Sequence, residues 1–275
     1  MRWFVLWIGA GLLSGLWCAE VRGQSIVQLQ KSLSGLDAAV VIHETRTGAF
    51  LRLNEARLAQ EFPPFATLEL PVALAALETR TVRNLSELTP WNRFKYPPTE
   101  TSPANWNEDH TMRSAFTHSV PWYWQDISER LGAVRLDAAL HKFAYGNQSL
   151  STEPPQCWPQ CWEDGALRIS AQAQTDFLSK LINESLPASK LRQRELKTLL
   201  LRESGDGYRL YLKTGVGFLQ SGYYLGWSIG WLETTEGNYV FALNLTHREL
   251  EFVNETVSNL PKKVLSAAGY WVSAE

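Results

Sequence analysis

The apolar positions of this chain change period several times, and each change marks an element. Ala38-Ala39-Val40-Val41-Ile42, then Thr45-Arg46-Thr47-Gly48, then Ala49-Phe50-Leu51-Arg52-Leu53 reads as a β-hairpin. From Leu68 to Leu77 the apolar residues suit a buried helix, with Pro71 in its first turns, where a missing N–H costs little. The polar run Thr99–Asp109, interrupted by Pro103, predicts a surface loop. Residues 111–143 read as helical, as do Ser170–Leu186 and Ser189–Leu201, which Pro187 separates. The C-terminal third returns to strands. Tyr208–Lys213 alternates, and Gly222–Glu233 and Tyr239–Thr246 flank Thr234-Thr235-Glu236-Gly237-Asn238 as a second hairpin. A last helix is expected from Asn254 or Glu255 to about Gly269, disturbed at Pro261.

Strands at both ends with helices between them predict an α/β (α+β) fold. An antiparallel sheet is assembled from N- and C-terminal strands and flanked by helices, and the middle of the chain forms a helical lobe. The sheet region is placed at about 24–60 and 205–275, the lobe at about 61–204. The cleft between sheet and lobe is where a site is expected.

Length and composition narrow the function classes. A chain of 275 residues, 45% of them hydrophobic, can bury a substantial core and is not a disordered segment. With 26 basic against 28 acidic residues and a net charge of −2, a nucleic-acid binder held by a basic surface is excluded. Met1-Arg2 precedes an uncharged run, Trp3–Ala19, which is the pattern of a secretory signal peptide. That run is shorter than the roughly 20 residues a spanning helix wants. Cleavage before Gln24 is expected, with an uncleaved N-terminal anchor as the other reading. Removing residues 1–23 takes away Arg2, Glu20 and Arg22 and moves the charge from −2 to −3. The remaining domain, residues 24–275, is expected to be exported, periplasmic or extracellular, with no membrane span.

Export leaves Cys157 and Cys161, in a Pro-rich stretch, as either a local disulfide or two free thiols. Neither these cysteines nor the five histidines show metal-ligand spacing, so no metal or cofactor is expected.

Three further segments carry chemistry. His141–Leu150 holds Tyr145-Gly146-Asn147, Cys161–Ser170 holds Trp162, and Lys213-Thr214-Gly215 is followed by Gly226-Trp227-Ser228-Ile229-Gly230-Trp231. In this order the segments resemble the class D (oxacillinase-type) β-lactamases and, more broadly, the penicillin-recognising serine transferases. The resemblance runs over nearly all of residues 24–275. It implies a β-lactamase/transpeptidase-like fold and a β-lactam or peptidoglycan-like ligand in the cleft. It also implies Tyr145, Asn147, Trp162, Lys213, Thr214 and Gly215 as substrate-binding positions, with Lys213 also in the catalytic set.

The family's acylation uses Ser-x-x-Lys, a spacing that puts nucleophile and base on one helix face. A second serine relays protons, and backbone N–H groups form an oxyanion hole. Aligned on Pro71, this chain offers Pro64-Phe65-Ala66-Thr67-Leu68-Glu69-Leu70-Pro71, which puts Ala66 at the nucleophile and Glu69 at the base. Ala66 has no atom that can form an ester, and Glu69 reverses the charge of the lysine. Shifting to Thr67 leaves Leu70 three residues on, so no base follows. Ser119 stands at the second serine, with Pro121 where a valine is expected. Val257 falls at the position of a carboxylate-binding arginine, and Arg248 precedes the match.

Each retained residue also has a plain structural reading. Lys213 either recognises a ligand or neutralises Glu69. Tyr145-Gly146-Asn147 is either site or lobe-folding turn, and Trp162 packs or bonds the residue at position 69. Two functions of different class follow. One is an exported pseudoenzyme that binds a ligand or a protein partner without acylation. The other is an active β-lactam or ester hydrolase using a non-serine route, with Glu69 as general base for a water.

Overall fold

The computed structural model describes residues 26–100, 102–150 and 166–271, so the expected signal peptide and Cys157, Cys161 and Trp162 lie outside the described residues. Asp37–Ser258 forms one compact unit, and residues 26–36 with 259–271 form a second. The second unit comprises a helix over 26–32 and the end of a long helix, Leu250–Ala267. Its buried apolar residues include Leu29, Leu33, Val264 and Leu265.

In the larger unit six strands form one antiparallel sheet in the order β2-β1-β8-β7-β6-β5. These are β1 (Asp37–Glu44), β2 (Ala49–Leu53), β5 (Leu201–Gly205), β6 (Tyr208–Phe218), β7 (Tyr224–Thr234) and β8 (Asn238–His247); β3 (Leu88–Thr89) and β4 (His110–Thr111) pair separately. The sheet is thus built from both ends of the chain, as the sequence pattern predicts. β7 and β8 are central and buried along most of their length, which is why their sequences are nearly continuous apolar runs rather than alternating ones. Helix Ala171–Ile182 packs on β1, β7 and β8. Helix Glu69–Glu78 lies at the centre of the lobe, against helices Pro121–Leu131, Ala133–Phe143 and Lys190–Leu200.

The structure corrects several sequence boundaries. Residues 111–143 are three helices, Met112–His118, Pro121–Leu131 and Ala133–Phe143, because Ser119 (φ 47°) and Gly132 (φ 82°) turn the chain out of helical geometry. The strand beginning at Tyr208 continues through Lys213 to Phe218. β5 and the short helix Glu55–Ala59 are additional to the predicted elements, and the last helix begins at Leu250, one turn before Asn254. A single 3-10 turn, Ala104–Trp106, interrupts the 99–109 loop. Capping explains the sharper boundaries. Ser170 accepts from Ala173 N at 3.1 Å, Ser189 from Arg192 N at 3.4 Å, and Thr111 from Ser114 N at 3.2 Å.

One feature of β6 sets up the site. It pairs with β7 along its whole length, whereas β5 covers only Tyr208–Tyr211 on the other edge. Among the described residues the edge from Leu212 to Phe218 therefore has no strand partner.

Candidate active site

The segment that precedes the central helix is held against this open edge. Trp227, buried on β7, donates from Nε1 to the Pro63 carbonyl at 2.9 Å. Thr67 donates from Oγ1 to the Pro64 carbonyl at 2.7 Å, closing the 3-10 turn Phe65–Leu68 that leads into helix Glu69–Glu78. Glycine on β6 permits the approach. A Cβ at Gly215 would fall 3.1 Å from the backbone nitrogens of both Ala66 and Thr67, and one at Gly217 would fall 2.0 Å from an edge carbon of the Phe65 ring. Phe65 itself adopts a positive φ of 46°, a strained conformation held by these contacts.

Beside this junction is a cleft of about 850 Å³. Phe65, Ala66 and Glu69 line one side, Ser119, Pro121 and Trp106 another, and Leu250 and Asn254 of the last helix a third. Thr214, Gly215, Val216, Gly217 and Phe218 also line it. Five consecutive strand residues cannot all present side chains to one space, since side chains alternate between faces. Their common feature is the unpaired backbone edge, so the cleft runs along it.

At its inner end lies a buried ion pair. Lys213 Nζ is 2.7 Å from Glu69 Oε2, with side chains 4% and 3% exposed. Lys213 also donates to Ser119 Oγ at 2.7 Å and to the Phe116 carbonyl at 3.4 Å, and its ammonium lies 4.6 Å from the Phe116 ring centroid. Ser119 reaches the ammonium from the left-handed residue that ends helix Met112–His118. Two opposing effects act on Glu69. Burial disfavours its charged form, and Lys213 favours it. Burial dominates, pushing the carboxyl from its ordinary 4.5 up to about 7.

Thr67 supplies no free hydroxyl. It is fully buried, donates to Pro64, accepts from Gln174 Nε2 at 2.8 Å and lies 3.3 Å from the Tyr145 hydroxyl. Tyr145 is also fully buried, its hydroxyl donating to Gln174 Oε1 at 3.4 Å. Burial pushes the Tyr145 phenol well above its ordinary value. Gly146, at φ 58°, passes so close to Arg168 that a Cβ would fall on its carbonyl oxygen. Asn147 then donates from Nδ2 to the Ala166 carbonyl at 2.8 Å and accepts from Arg168 N at 3.0 Å. The structure therefore places Tyr145 and Asn147 behind the cleft, tying the 166–169 segment to the lobe, and not among its lining residues.

The structure brings Ala66, Glu69, Ser119, Lys213, Thr214 and Gly215 together. Val257 is buried, its carbonyl accepting from Ser228 Oγ at 2.6 Å. Arg248 reaches the Tyr223 hydroxyl at 3.3 Å and is absent from the cleft lining. Sequence reasoning missed Phe116, Trp106, Phe218, Asn254 and the Thr67–Gln174 bond. Of these, Asn254 had a readable signal: with the helix begun at Leu250, the two residues are four apart and share a face. Among the described residues no group of histidine, cysteine and acidic side chains is placed to hold a metal, and no helix is long and apolar enough to cross a membrane.

A family profile for the penicillin-binding protein transpeptidase domain matches residues 38–265. The chain is 33% identical over 226 residues to the probable β-lactamase YbxI of Bacillus subtilis (strain 168), covering 82% of this chain and 80% of that protein. It is 32% identical over 192 residues to β-lactamase OXA-48 of Klebsiella pneumoniae, covering 70% and 69%. Among solved structures, the class D β-lactamase YbXI from Nostoc superposes with a TM-score of 0.79 at 27% identity, over 90% of this chain and 98% of that one. By sequence, by fold and by the Lys213-Thr214-Gly215 strand beside its cleft, the chain belongs to the class D β-lactamase group of the penicillin-binding transpeptidase family.

Proposed function

We propose that this protein keeps the penicillin-binding fold as an exported ligand- or partner-binding domain that does not acylate, a pseudoenzyme acting in the periplasmic or extracellular space. The observation that carries this reading is the pairing at the cleft's inner end. Where acylation needs a hydroxyl and a basic nitrogen, the cleft presents the Ala66 methyl and a Glu69 carboxylate engaged with Lys213. The nearby hydroxyls do not substitute. Thr67 is buried in its own network, and Ser119 accepts from Lys213, which is itself engaged with Glu69. Candidate ligands are β-lactams, peptidoglycan-like molecules or a protein partner. Incubation with a fluorescent penicillin followed by intact-mass measurement is the test. An unshifted mass is expected; a stable adduct of antibiotic mass overturns the reading.

One observation favours a second reading. Glu69 lines the cleft and has its carboxyl pushed up to about 7, the range in which a general base for a water molecule works best. Under that reading nitrocefin or an ester is hydrolysed at a steady rate that Glu69→Gln abolishes. Absence of turnover in the wild type removes it.

A further inference from the structure

Away from the cleft, residues 89–96 and helix Pro121–Leu131 enclose a second recess of about 620 Å³, open to solvent. It shares no lining residue with the cleft. The loop that forms it is braced. Trp91 donates from its backbone N to Asp109 Oδ1 at 2.8 Å and from Nε1 to the Tyr96 carbonyl at 3.0 Å. Asn92 Oδ1 accepts from Phe94 N at 3.0 Å and from Lys95 N at 3.1 Å, and the Asn92 carbonyl accepts from Tyr96 N at 2.8 Å. The Tyr96 ring stacks on Trp122, with centroids 5.8 Å apart. Every one of these bonds holds the loop, and none covers Phe94. At 92% exposed it is the most exposed large hydrophobic side chain among the described residues.

A lone surface phenylalanine is ordinary. This one stands on a rigid loop beside polar groups that have no other use. Arg93 has no hydrogen-bond or ion-pair partner, and its guanidinium lies 5.9 Å from the Phe94 ring centroid. Asn92 spends its side-chain oxygen on the loop and keeps both Nδ2 hydrogens free. On the helix, Asp126 is loosely engaged, 3.8 Å from Lys95 Nζ and 3.5 Å from Arg130 Nη1, beyond good hydrogen-bond length. Lys95 is committed to Glu129, and Arg130 donates to the Thr81 carbonyl at 2.6 Å. The recess therefore offers one flat apolar face, two sets of free donors and one carboxylate with lone pairs to spare.

A pyranose ring bearing an acetamido group matches all three at once. Its C–H face is flat and apolar, its amide carbonyl accepts and its amide N–H donates. We propose that this recess is a carbohydrate site for an N-acetylated sugar, the ring lying on Phe94, the acetamido carbonyl accepting from Arg93 and Asn92, and the acetamido N–H donating to Asp126. One aromatic face and a few polar contacts make a weak site for a single sugar, as an open recess of this kind requires.

The test is isothermal titration and saturation-transfer NMR of the full chain with chitotriose, the β-1,4 trimer of N-acetylglucosamine. Cellotriose, which has the same linkage and no acetamido groups, is the comparison. Chitotriose should bind, with saturation transferred to its ring C–H and acetyl protons, and cellotriose should bind about tenfold more weakly or less. Phe94→Ala keeps the fold, because the side chain packs against so little, and should weaken chitotriose about tenfold. Arg93→Ala should weaken it about threefold to tenfold, the worth of one hydrogen bond. No binding of chitotriose, equal binding of cellotriose, or unchanged affinity in Phe94→Ala overturns the proposal. Loss of affinity in Phe218→Ala with none in Phe94→Ala would place the sugar in the cleft and overturn it as well. A penicillin adduct in the mass measurement is a separate failure, that of the non-acylating reading, because the two sites share no residue.

Discussion

The balance at Glu69 makes a quantitative prediction about folding. In the unfolded chain its carboxyl titrates near 4.5, and in the folded protein at about 7. Between these values the folded state holds a proton that the unfolded state has released. Stability linked to this group is therefore fully present below about pH 4.5 and is lost as pH rises through 7. The full displacement is worth about 3 kcal/mol, of which about 2.5 kcal/mol falls between pH 5 and pH 8. Glu69→Gln removes the titration while keeping nearly the same shape, so the difference in unfolding free energy between wild type and variant isolates it. Any constant cost of the glutamine cancels, because only the slope with pH is read. Urea unfolding followed by tryptophan fluorescence supplies the measurement. Wild type should lose about 2.5 kcal/mol relative to Glu69→Gln from pH 5 to pH 8. A flat difference would mean that burial and Lys213 cancel. A difference that grows in favour of wild type would mean that Lys213 wins and holds the carboxyl below its ordinary value, refuting the dominance of burial.

The same pair predicts that Lys213→Met costs about 3–5 kcal/mol at pH 8, where it strands a buried carboxylate, and much less at pH 5, where Glu69 takes up a proton. Glu69→Leu combined with Lys213→Met should recover most of that loss in urea unfolding. Gly146→Ala places a methyl on the Arg168 carbonyl at a positive φ, and should destabilise by at least about 2 kcal/mol by thermal or urea unfolding. Ala66→Ser with Glu69→Lys restores the residue types of Ser-x-x-Lys, and intact-mass analysis after penicillin treatment should show an adduct. No adduct in the folded double variant would place the obstacle in the cleft walls, at Pro121 first.

Legibility of the fold tracked how local each signal is. The Ala38–Leu53 hairpin could be read because period and turn residues lie within sixteen residues, and β7 and β8 because buried central strands are apolar runs. β5 could not: Leu201-Arg202-Glu203-Ser204-Gly205 is a polar strand that among the described residues pairs with β6 alone. The helix break at Ser119 depends on a backbone angle that serine seldom adopts, so a helical run through 111–143 was the reasonable reading. At the site, the pairing of the opposite charges of Glu69 and Lys213 was legible because motif order aligned their elements. The bond from Gln174 to Thr67 spans 107 residues and has no motif, so nothing in the chain announced it. The Tyr145 hydroxyl lies within reach of both partners of that bond. Its phenol completes a buried network, which a surface reading of the Tyr-Gly-Asn turn could not reveal.

The residues at 66 and 69 are coupled through Lys213. A lysine at 69 would set two amines against each other in a cleft that keeps Glu69 and Lys213 3% and 4% exposed. That arrangement is sustainable when one amine is held neutral or converted to an anion, and such a group is useful only where a hydroxyl proton is to be removed. With a methyl at Ala66 there is no such proton. A carboxylate at 69 then turns a repulsion into an ion pair, and its place in the first turn of helix Glu69–Glu78 puts it at the end of the helix dipole that favours negative charge. On the proposed reading the two departures are therefore one change seen twice. Ala66→Ser alone would supply a hydroxyl beside a carboxylate committed to Lys213, so acylation should require the change at 69 as well.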